Sequence, residues 1–407
     1  MNNGWKKNIV LFLLSQIISL FGSSLVQYAI MWYITLNTKS GLMMTISIIC
    51  GFVPTFFLSP FAGVWADRFN RKILIMLSDS FIALTTLVMA VLFLMGHGSM
   101  VLLFVMSALR ALGSGVQTPA IGAFIPQMVP EEKLTKVNGI NGSVQSVVML
   151  VSPMLSGALL SFTTIEAIFM IDVVTAAIAV LVLLFFLKVP AHERAGGFGD
   201  ISYYKDLREG IVYISGHAYV KKFFLFCAVF FFMVAPSAFL TPLQVTRTFG
   251  SDVWRLTAIE IAFSLGMMFG GLIIASWSGF SNRIYTMAFS SFAISVCTVA
   301  LGLIPVFWIY LAVMGLIGIL LPMFNTPSTV LLQEKVEPDF LGRVFGVMGM
   351  ISSSMMPLGM LVFGPVADAV RIEWLLIITG VVMFFQSFFL IGSKDLVEAG
   401  KPKIREA

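Results

Sequence analysis

Four ionisable residues stand inside or at the edge of long apolar stretches of this 407-residue chain: Asp79, Arg110, Asp172 and Glu260. A charge in hydrocarbon is costly, so such residues face a polar interior and pair with one another. Burial disfavours an ionised carboxyl group and a nearby arginine favours it, so a carboxyl that changes neighbours takes up and releases a proton. Arg110, in the middle of its stretch, requires a carboxylate partner. Glu260 lies about six residues, roughly 9 Å at 1.5 Å per residue, into its stretch, which suits a proton or cation site near one end. Asp79 stands beside a basic loop, where a gating or structural role outweighs direct proton coupling, and Asp172 fits either use.

The elements that would position these groups follow from composition. Hydrophobic residues make up 58% of the chain and charged ones 11%, where a soluble domain carries about 25% charged. Apolar stretches separated by charged or Gly/Pro-rich breaks lie near 8–36, 42–66, 73–95, 100–125, 137–161, 166–187, 221–246, 254–279, 284–304, 306–332, 342–370 and 373–392. Each is long enough for a membrane-spanning helix of about 20 residues. Barrel strands of about ten alternating residues do not fit. The expected fold is an all-α integral membrane bundle of 12 transmembrane helices.

Basic residues set the expected orientation, because short loops rich in Lys and Arg stay in the cytoplasm. Lys6, Lys7, Arg68, Arg71, Lys72, Lys133, Lys136 and the cluster from Lys188 to Lys222 fall on one side, with Lys394, Lys401, Lys403 and Arg405 at the end. Lys39, Arg247, Arg255 and Arg371 fall on the other. Both termini are therefore predicted to be cytoplasmic. The first stretch is too long for a signal-peptide core and lacks a small-residue cleavage site, so it should remain as the first span.

The longest break divides the chain into an N-terminal six-helix half, 1–187, a cytoplasmic linker, 188–220, a C-terminal six-helix half, 221–392, and a cytoplasmic tail, 393–407. In the linker, Tyr204, Leu207, Ile211 and Ile214 lie opposite Lys205, Arg208 and Glu209, the pattern of an amphipathic helix on the membrane surface. The halves echo each other. Thr118-Pro119 matches Thr326-Pro327, and Val129, Leu134, Gly139, Gly142 and Ser146 match Val336, Leu341, Gly346, Gly349 and Ser353. A register kept through a loop and two helix ends points to duplication, the layout of carriers that rock two repeats about a central site.

Other chemistries find no support. The net charge of +5 is spread over loops, so no nucleic-acid partner is expected. Cys50, Cys227 and Cys297 are far apart within apolar stretches, which leaves neither a disulfide framework nor metal-ligand spacing. No phosphate-cradling Gly-x-x-x-x-Gly-Lys-Ser/Thr loop is present. No cofactor or metal is expected, and active transport would draw on an ion gradient.

The most specific motif is Gly63-Val64-Trp65-Ala66-Asp67-Arg68-Phe69-Asn70-Arg71-Lys72. Gly63 admits a neighbouring helix, Asp67 can meet a helix N-terminus or a cation, and Arg68, Arg71 and Lys72 hold the turn inside. This loop resembles the signature between the second and third helices of the major facilitator superfamily. Asn70 replaces the usual Gly at its eighth position, a substitution compatible with a left-handed backbone. Arg110-Ala111-Leu112-Gly113-Ser114-Gly115 resembles the family's fourth-helix motif, whose Arg is tied to proton coupling. Ser152-Pro153 with Gly157 is a thinned form of its antiporter signature. Gly364-Pro365-Val366-Ala367-Asp368 repeats the Gly-xxx-Asp spacing at an outer helix end and is read as a chance match.

The resemblance implies a major facilitator fold with two six-helix pseudo-repeats, and gating by Gly63, Asp67, Arg68, Arg71, Lys72, Pro153 and Gly157. Asp67 is expected to dock near Leu341–Arg343. Polar stripes should line the substrate cavity: Gln16, Ser23 and Gln27 with Ser19 in the first span, Asn138, Asn141 and Gln145 in the fifth, Ser237, Thr241 and Gln244 in the seventh, and Asn325 in the tenth. Hydrogen bonds between helices are the competing use of such stripes. With 38 Phe and 25 Met, the walls suit bulky apolar ligands.

Runs at 129–136, 259–267 and 333–345 further resemble the bacterial macrolide-efflux group of drug:proton antiporters. That resemblance implies proton-coupled efflux of bulky, weakly basic, hydrophobic drugs from a bacterial cytoplasmic membrane, by a monomer whose partners are substrate, protons and lipid. Export of a siderophore or other metabolite, and uptake by symport, remain open.

Overall fold

The structure, a computed structural model, describes residues 4–187 and 203–401, without the side chains of Pro60, Asp67, Glu131, Thr135, Tyr203, Tyr204, Lys205, Asp206, Leu207, Pro338 and Asp339. All regular structure among the described residues is helical: α1 (Gly4–Thr38), α2 (Gly41–Arg68), α3 (Arg71–Leu94), α4 (Met100–Met128), α5 (Glu131–Phe162), α6 (Ile165–Phe186), α7 (Tyr203–Gly216), α8 (Ala218–Phe239), α9 (Thr241–Thr248), α10 (Val253–Trp277), α11 (Arg283–Leu303), α12 (Phe307–Lys335), α13 (Pro338–Ala369), α14 (Ile372–Gly392) and α15 (Lys394–Ala399). Twelve segments are long and apolar enough to cross a membrane, and the chain is a multi-pass membrane protein. Large apolar side chains such as Phe57 (66% exposed) and Leu77 (62%) face outward, as lipid rather than water permits.

Helix boundaries have local causes. Asn70 and Ser99 cap α3 and α4, their side chains accepting the backbone N–H of Ile73 and Leu102. Asn70 has φ −65°, so it is extended rather than left-handed: in place of the family's Gly it supplies a side-chain cap. The seventh apolar stretch is interrupted at Leu240 and continues as α9. Pro242 in the first turn of α9 has no N–H to extend the α8 ladder.

The helices group into two compact units, one comprising residues 1–38 and 46–198, the other 39–45 and 199–407. In the first unit α1 packs against α6 and α5, and α3 against α4 and α6. Its apolar core near one end gathers Phe12, Ile75, Phe124, Ile125 and Leu183, with Phe12 edge-on to Phe124 at 5.1 Å. At Gly22 the α1 backbone approaches α6 so closely that a Cβ there would lie 2.0 Å from Thr175 Oγ1 and 3.1 Å from the Asp172 Cα.

In the second unit α10 crosses α12, α11 lies along α14, and α8 lies along α13. The α10–α12 crossing rests on glycine. A Cβ on Gly266 would fall 2.1 Å from the Gly315 carbonyl oxygen, and one on Gly270 2.2 Å from that of Ile319, the backbone approach that small residues spaced by four permit in membranes. Phe230 stacks on Phe324 at 4.7 Å inside this unit. The linker helix α7 docks on α13: Tyr213 stacks on Phe340 at 4.6 Å, and Glu209 pairs with Arg343 at 3.0 Å. The packed face of α7 is thus Gly210, Tyr213 and Ile214, while Ile211, expected among its apolar contacts, is 50% exposed. Residues 188–202 of the expected linker lie outside the described residues.

Candidate functional site

The charged residues of the first unit converge. Arg110 on α4 and Asp172 on α6 form a salt bridge, Nη1 to Oδ2 at 2.5 Å, with side-chain exposures of 11% and 0%. Thr86 on α3 donates to the same Oδ2 at 2.8 Å and is itself contacted by Arg110 Nη1. Ser23 on α1 donates to Asp172 Oδ1 at 3.1 Å, and Arg110 Nη2 reaches the Ser23 carbonyl at 3.4 Å. Four helices therefore satisfy one buried ion pair. Such a pair persists only when its remaining lone pairs and protons find partners. The approach at Gly22 is what brings Ser23 within reach of Asp172.

Seven residues before Thr86 on α3, about 10 Å along the helix, lies Asp79. Its Oδ1 accepts Ser19 Oγ from α1 and Gln117 Nε2 from α4, each at 2.6 Å. Gln117 is seven residues after Arg110 on the antiparallel α4. The two aspartates therefore occupy two tiers, each served by α1, α3 and α4. Thr86 and Gln117 are site residues absent from the sequence reading. The signal available was their two-turn spacing from Asp79 and Arg110.

Below this ladder the signature loop is fastened by its cations. Arg71 donates to the carbonyls of Ala66 and Ala123, both at 2.9 Å, and Lys72 to that of Leu187 at 2.8 Å. Gly63 is half-buried and Arg68 exposed. The side chain of Asp67, the expected latch, lies outside the described residues. Pro153 and Gly157 are buried on α5, where Ser156 donates to the Leu25 carbonyl of α1 at 3.1 Å.

The remaining candidates are placed individually. Glu260 is half-buried on α10 in the second unit and has no hydrogen-bond or ion-pair partner among the described residues. Gln16 is buried beside Asp79. Gln27, Asn138, Gln145 and Asn325 are exposed and Asn141 half-buried, none with a side-chain hydrogen bond to another helix among the described residues. In the second unit Ser237 donates to the Val234 carbonyl of its own helix, and Thr241 is buried. Gln244 is held at both ends, its Nε2 donating to the Leu301 carbonyl at 2.8 Å and its Oε1 accepting the Tyr310 hydroxyl at 2.8 Å. Its amide thus joins helices, the competing use of the polar stripes.

The Gly364–Asp368 stretch, read in sequence as a chance match, has a definite role. Asp368 accepts the backbone N–H of Gly41 at 2.7 Å and of Leu42 at 3.0 Å, and the Ser40 hydroxyl at 2.7 Å. Arg247 reaches Asp368 at 2.8 Å and the carbonyls of Ala367 and Lys39 at 2.5 Å. All of these residues belong to the second unit. A Cβ on Gly41 would lie 2.2 Å from the Gly364 carbonyl oxygen, so glycine is required for this approach.

Twelve apolar spans among the described residues and a buried ion pair held between four helices are features of a membrane transporter. The chain belongs to the Major Facilitator Superfamily, which it matches over residues 12–360. It is 29% identical over 380 residues to macrolide efflux protein A of Streptococcus pyogenes, an alignment covering 93% of this chain and 94% of that protein. It is 23% identical to the staphyloferrin A transporter of Staphylococcus aureus, over 94% and 96% of the two chains. Among solved structures it shares the fold of a bacterial homolog of the human lysosomal transporter Spinster, in an inward-facing, unoccupied conformation. The TM-score there is 0.71 at 14% identity, covering 99% of this chain and 100% of that one.

Proposed function

We propose that the protein exports bulky, hydrophobic, weakly basic compounds of macrolide type, driven by protons, by alternating access across a bacterial cytoplasmic membrane. The single observation that carries the coupling is the buried Arg110–Asp172 pair, which with its partners Ser23 and Thr86 joins four helices. An ion pair placed in hydrocarbon can exchange its partners for a proton as its surroundings change. Glu260, half-buried and unpaired, is a second acid available for proton exchange. The substrate class is supported by the extent of similarity to macrolide efflux protein A. The gating group is Gly63, Asp67, Arg68, Arg71, Lys72, Pro153 and Gly157, and the exposed amides Gln27, Asn138, Gln145 and Asn325 are available to substrate. The division into halves 1–187 and 221–392, both termini in the cytoplasm, and a monomeric state complete the reading.

The test is a drug-susceptibility panel in an efflux-deficient bacterial host, comparing the intact protein with an Asp67→Asn, Arg110→Ala double variant at equal membrane level. Resistance to macrolides that disappears in the variant supports the reading; no protection against any compound contradicts it. A siderophore is the second reading, favoured by the similarity to the staphyloferrin A transporter. It predicts accumulation of an iron-chelating metabolite in cells that lack the protein.

A further inference from the structure

Asp79 is 1% exposed, and only one of its oxygens is in use. Oδ1 takes both hydrogen bonds, from Ser19 and Gln117, while Oδ2 has no partner. Beside it lies Gln16, 8% exposed, three residues before Ser19 on the same face of α1, and its Nε2 is also unpartnered. The Gln16 amide nevertheless acts on the Asp79 carboxyl as a hydrogen-bonding neighbour, in an arrangement too loose for a well-formed bond, so a buried acceptor and a buried donor stand beside each other poorly satisfied. A primary amide resolves it in either charge state of the acid. Its nitrogen donates to an ionised Oδ2, and after a half-turn its oxygen accepts from a protonated Oδ2. A group that can be satisfied with and without its proton is what a protonation site needs.

The charged groups around Asp79 come from three helices. From α4 comes Arg110, two turns away and committed to Asp172 at 2.5 Å; from α6 comes Asp172 itself; α1 contributes only the neutral Gln16 and Ser19. On its own helix Lys72 lies two turns off, with its ammonium on the Leu187 carbonyl. Among the described residues Asp172 thus has a cation in contact and Asp79 has none. The tiers are joined along α1, where Ser23 touches Asp172 and Ser19 touches Asp79. Four residues separate the two serines, about 6 Å of rise, a gap that one water spans with two hydrogen bonds of ~2.8 Å.

We propose that Asp79, held by Ser19, Gln117 and Gln16, is a second proton-binding station of the first unit and exchanges its proton with Asp172 along the Ser19–Ser23 face of α1. The transfer moves one proton from the carboxylic acid of one aspartate to the carboxylate of the other. One acid and one carboxylate are present before and after, and no other reactant is consumed. The proposal deepens the proton-coupled reading and rests on it for its place in transport.

The experiment is infrared difference spectroscopy of the full-length protein in lipid nanodiscs, without substrate, following the carboxylic-acid carbonyl band as pH is changed. The wild-type protein shows a titrating band of a buried acid that Asp79→Asn removes and Glu260→Gln leaves in place. Asp172→Asn shifts its midpoint, because the two stations share a proton. A spectrum unchanged by Asp79→Asn overturns the proposal. Should that variant fail to fold, Gln117→Leu and Ser19→Ala keep the acid and remove one donor each. Each then moves the midpoint by about tenfold in proton concentration, the effect of one hydrogen bond to a charged group, and insensitivity to both overturns the proposal. Drug transport indifferent to pH, beside a titrating Asp79 band, refutes the coupled-export reading while the station stands.

Discussion

Asp368, near the end of α13, binds the first turn of α2, accepting the Gly41 N–H at 2.7 Å across 327 residues of sequence. A carboxylate on the unsatisfied N–H groups of a helix N-terminus is favoured by hydrogen bonding and by the helix dipole together. Arg247 secures the same oxygen and also holds the Lys39 carbonyl. Lys39, at φ +48°, is one of two non-glycine residues with a left-handed backbone among those described. Asp368→Ala should therefore lower stability by about 1 kcal/mol, the usual loss on removing a helix cap. Thermal unfolding of detergent-purified protein measures this, and a transition temperature equal to wild type would deny the cap its role.

The Arg110–Asp172 pair allows structural and functional roles to be separated. Breaking a buried pair by removing one partner costs about 3–5 kcal/mol, because the survivor is left uncompensated, whereas replacing both with apolar residues of similar volume is often neutral. Arg110→Met alone should destabilise by about that amount. Arg110→Met with Asp172→Leu should recover most of the stability while drug resistance stays lost. Recovery of resistance in the double variant would reduce the pair to a packing device.

Glycine at the α10–α12 crossing provides an internal control. Gly270 has the Ile319 carbonyl oxygen 2.2 Å from where its Cβ would sit, whereas Gly271 has nothing within 4 Å. Backbone cannot rotate aside as a side chain can, so Gly270→Ala should force the helices apart and cost about 1–3 kcal/mol. Gly271→Ala should be close to neutral. Equal melting temperatures for the two variants would contradict the crossing geometry.

Glu260 tests whether the second unit takes part in coupling. It has no polar partner among the described residues, so Glu260→Gln removes the titratable group without breaking a contact, and the protein should reach the membrane at wild-type level. If Glu260 exchanges a proton during the cycle, the variant's transport should lose at least part of its dependence on external pH. An unchanged pH profile assigns coupling to the first unit alone.

Much of this architecture is legible in one dimension, because a lipid-spanning helix must be continuously apolar and its breaks must be polar. All twelve stretches appear as candidate spans. The break at Leu240 was hidden because Pro242 stands inside an otherwise apolar run. On α1 the spacing of Gln16, Ser19 and Ser23 marked a polar face, and the structure shows Ser19 and Ser23 meeting Asp79 and Asp172. The partner of Arg110 was expected to be a carboxylate, yet sequence could not choose among the acids, since that choice depends on which helices become neighbours. Thr86 and Gln117 were passed over for the same reason, since their two-turn spacing from Asp79 and Arg110 gains meaning only when α3 and α4 lie side by side. The most misleading fragment was Gly364–Asp368, whose meaning lies in partners more than 300 residues away.

The central claim is that proton movement through the Arg110–Asp172 site drives drug export, and transport in everted membrane vesicles tests it most directly. A radiolabelled macrolide should accumulate inside vesicles carrying the wild-type protein when the lumen is acidified. Accumulation should collapse when a protonophore removes the gradient, and it should be absent with Asp172→Asn at equal protein level. Accumulation that persists without a pH gradient, or that Asp172→Asn leaves intact, would contradict the account.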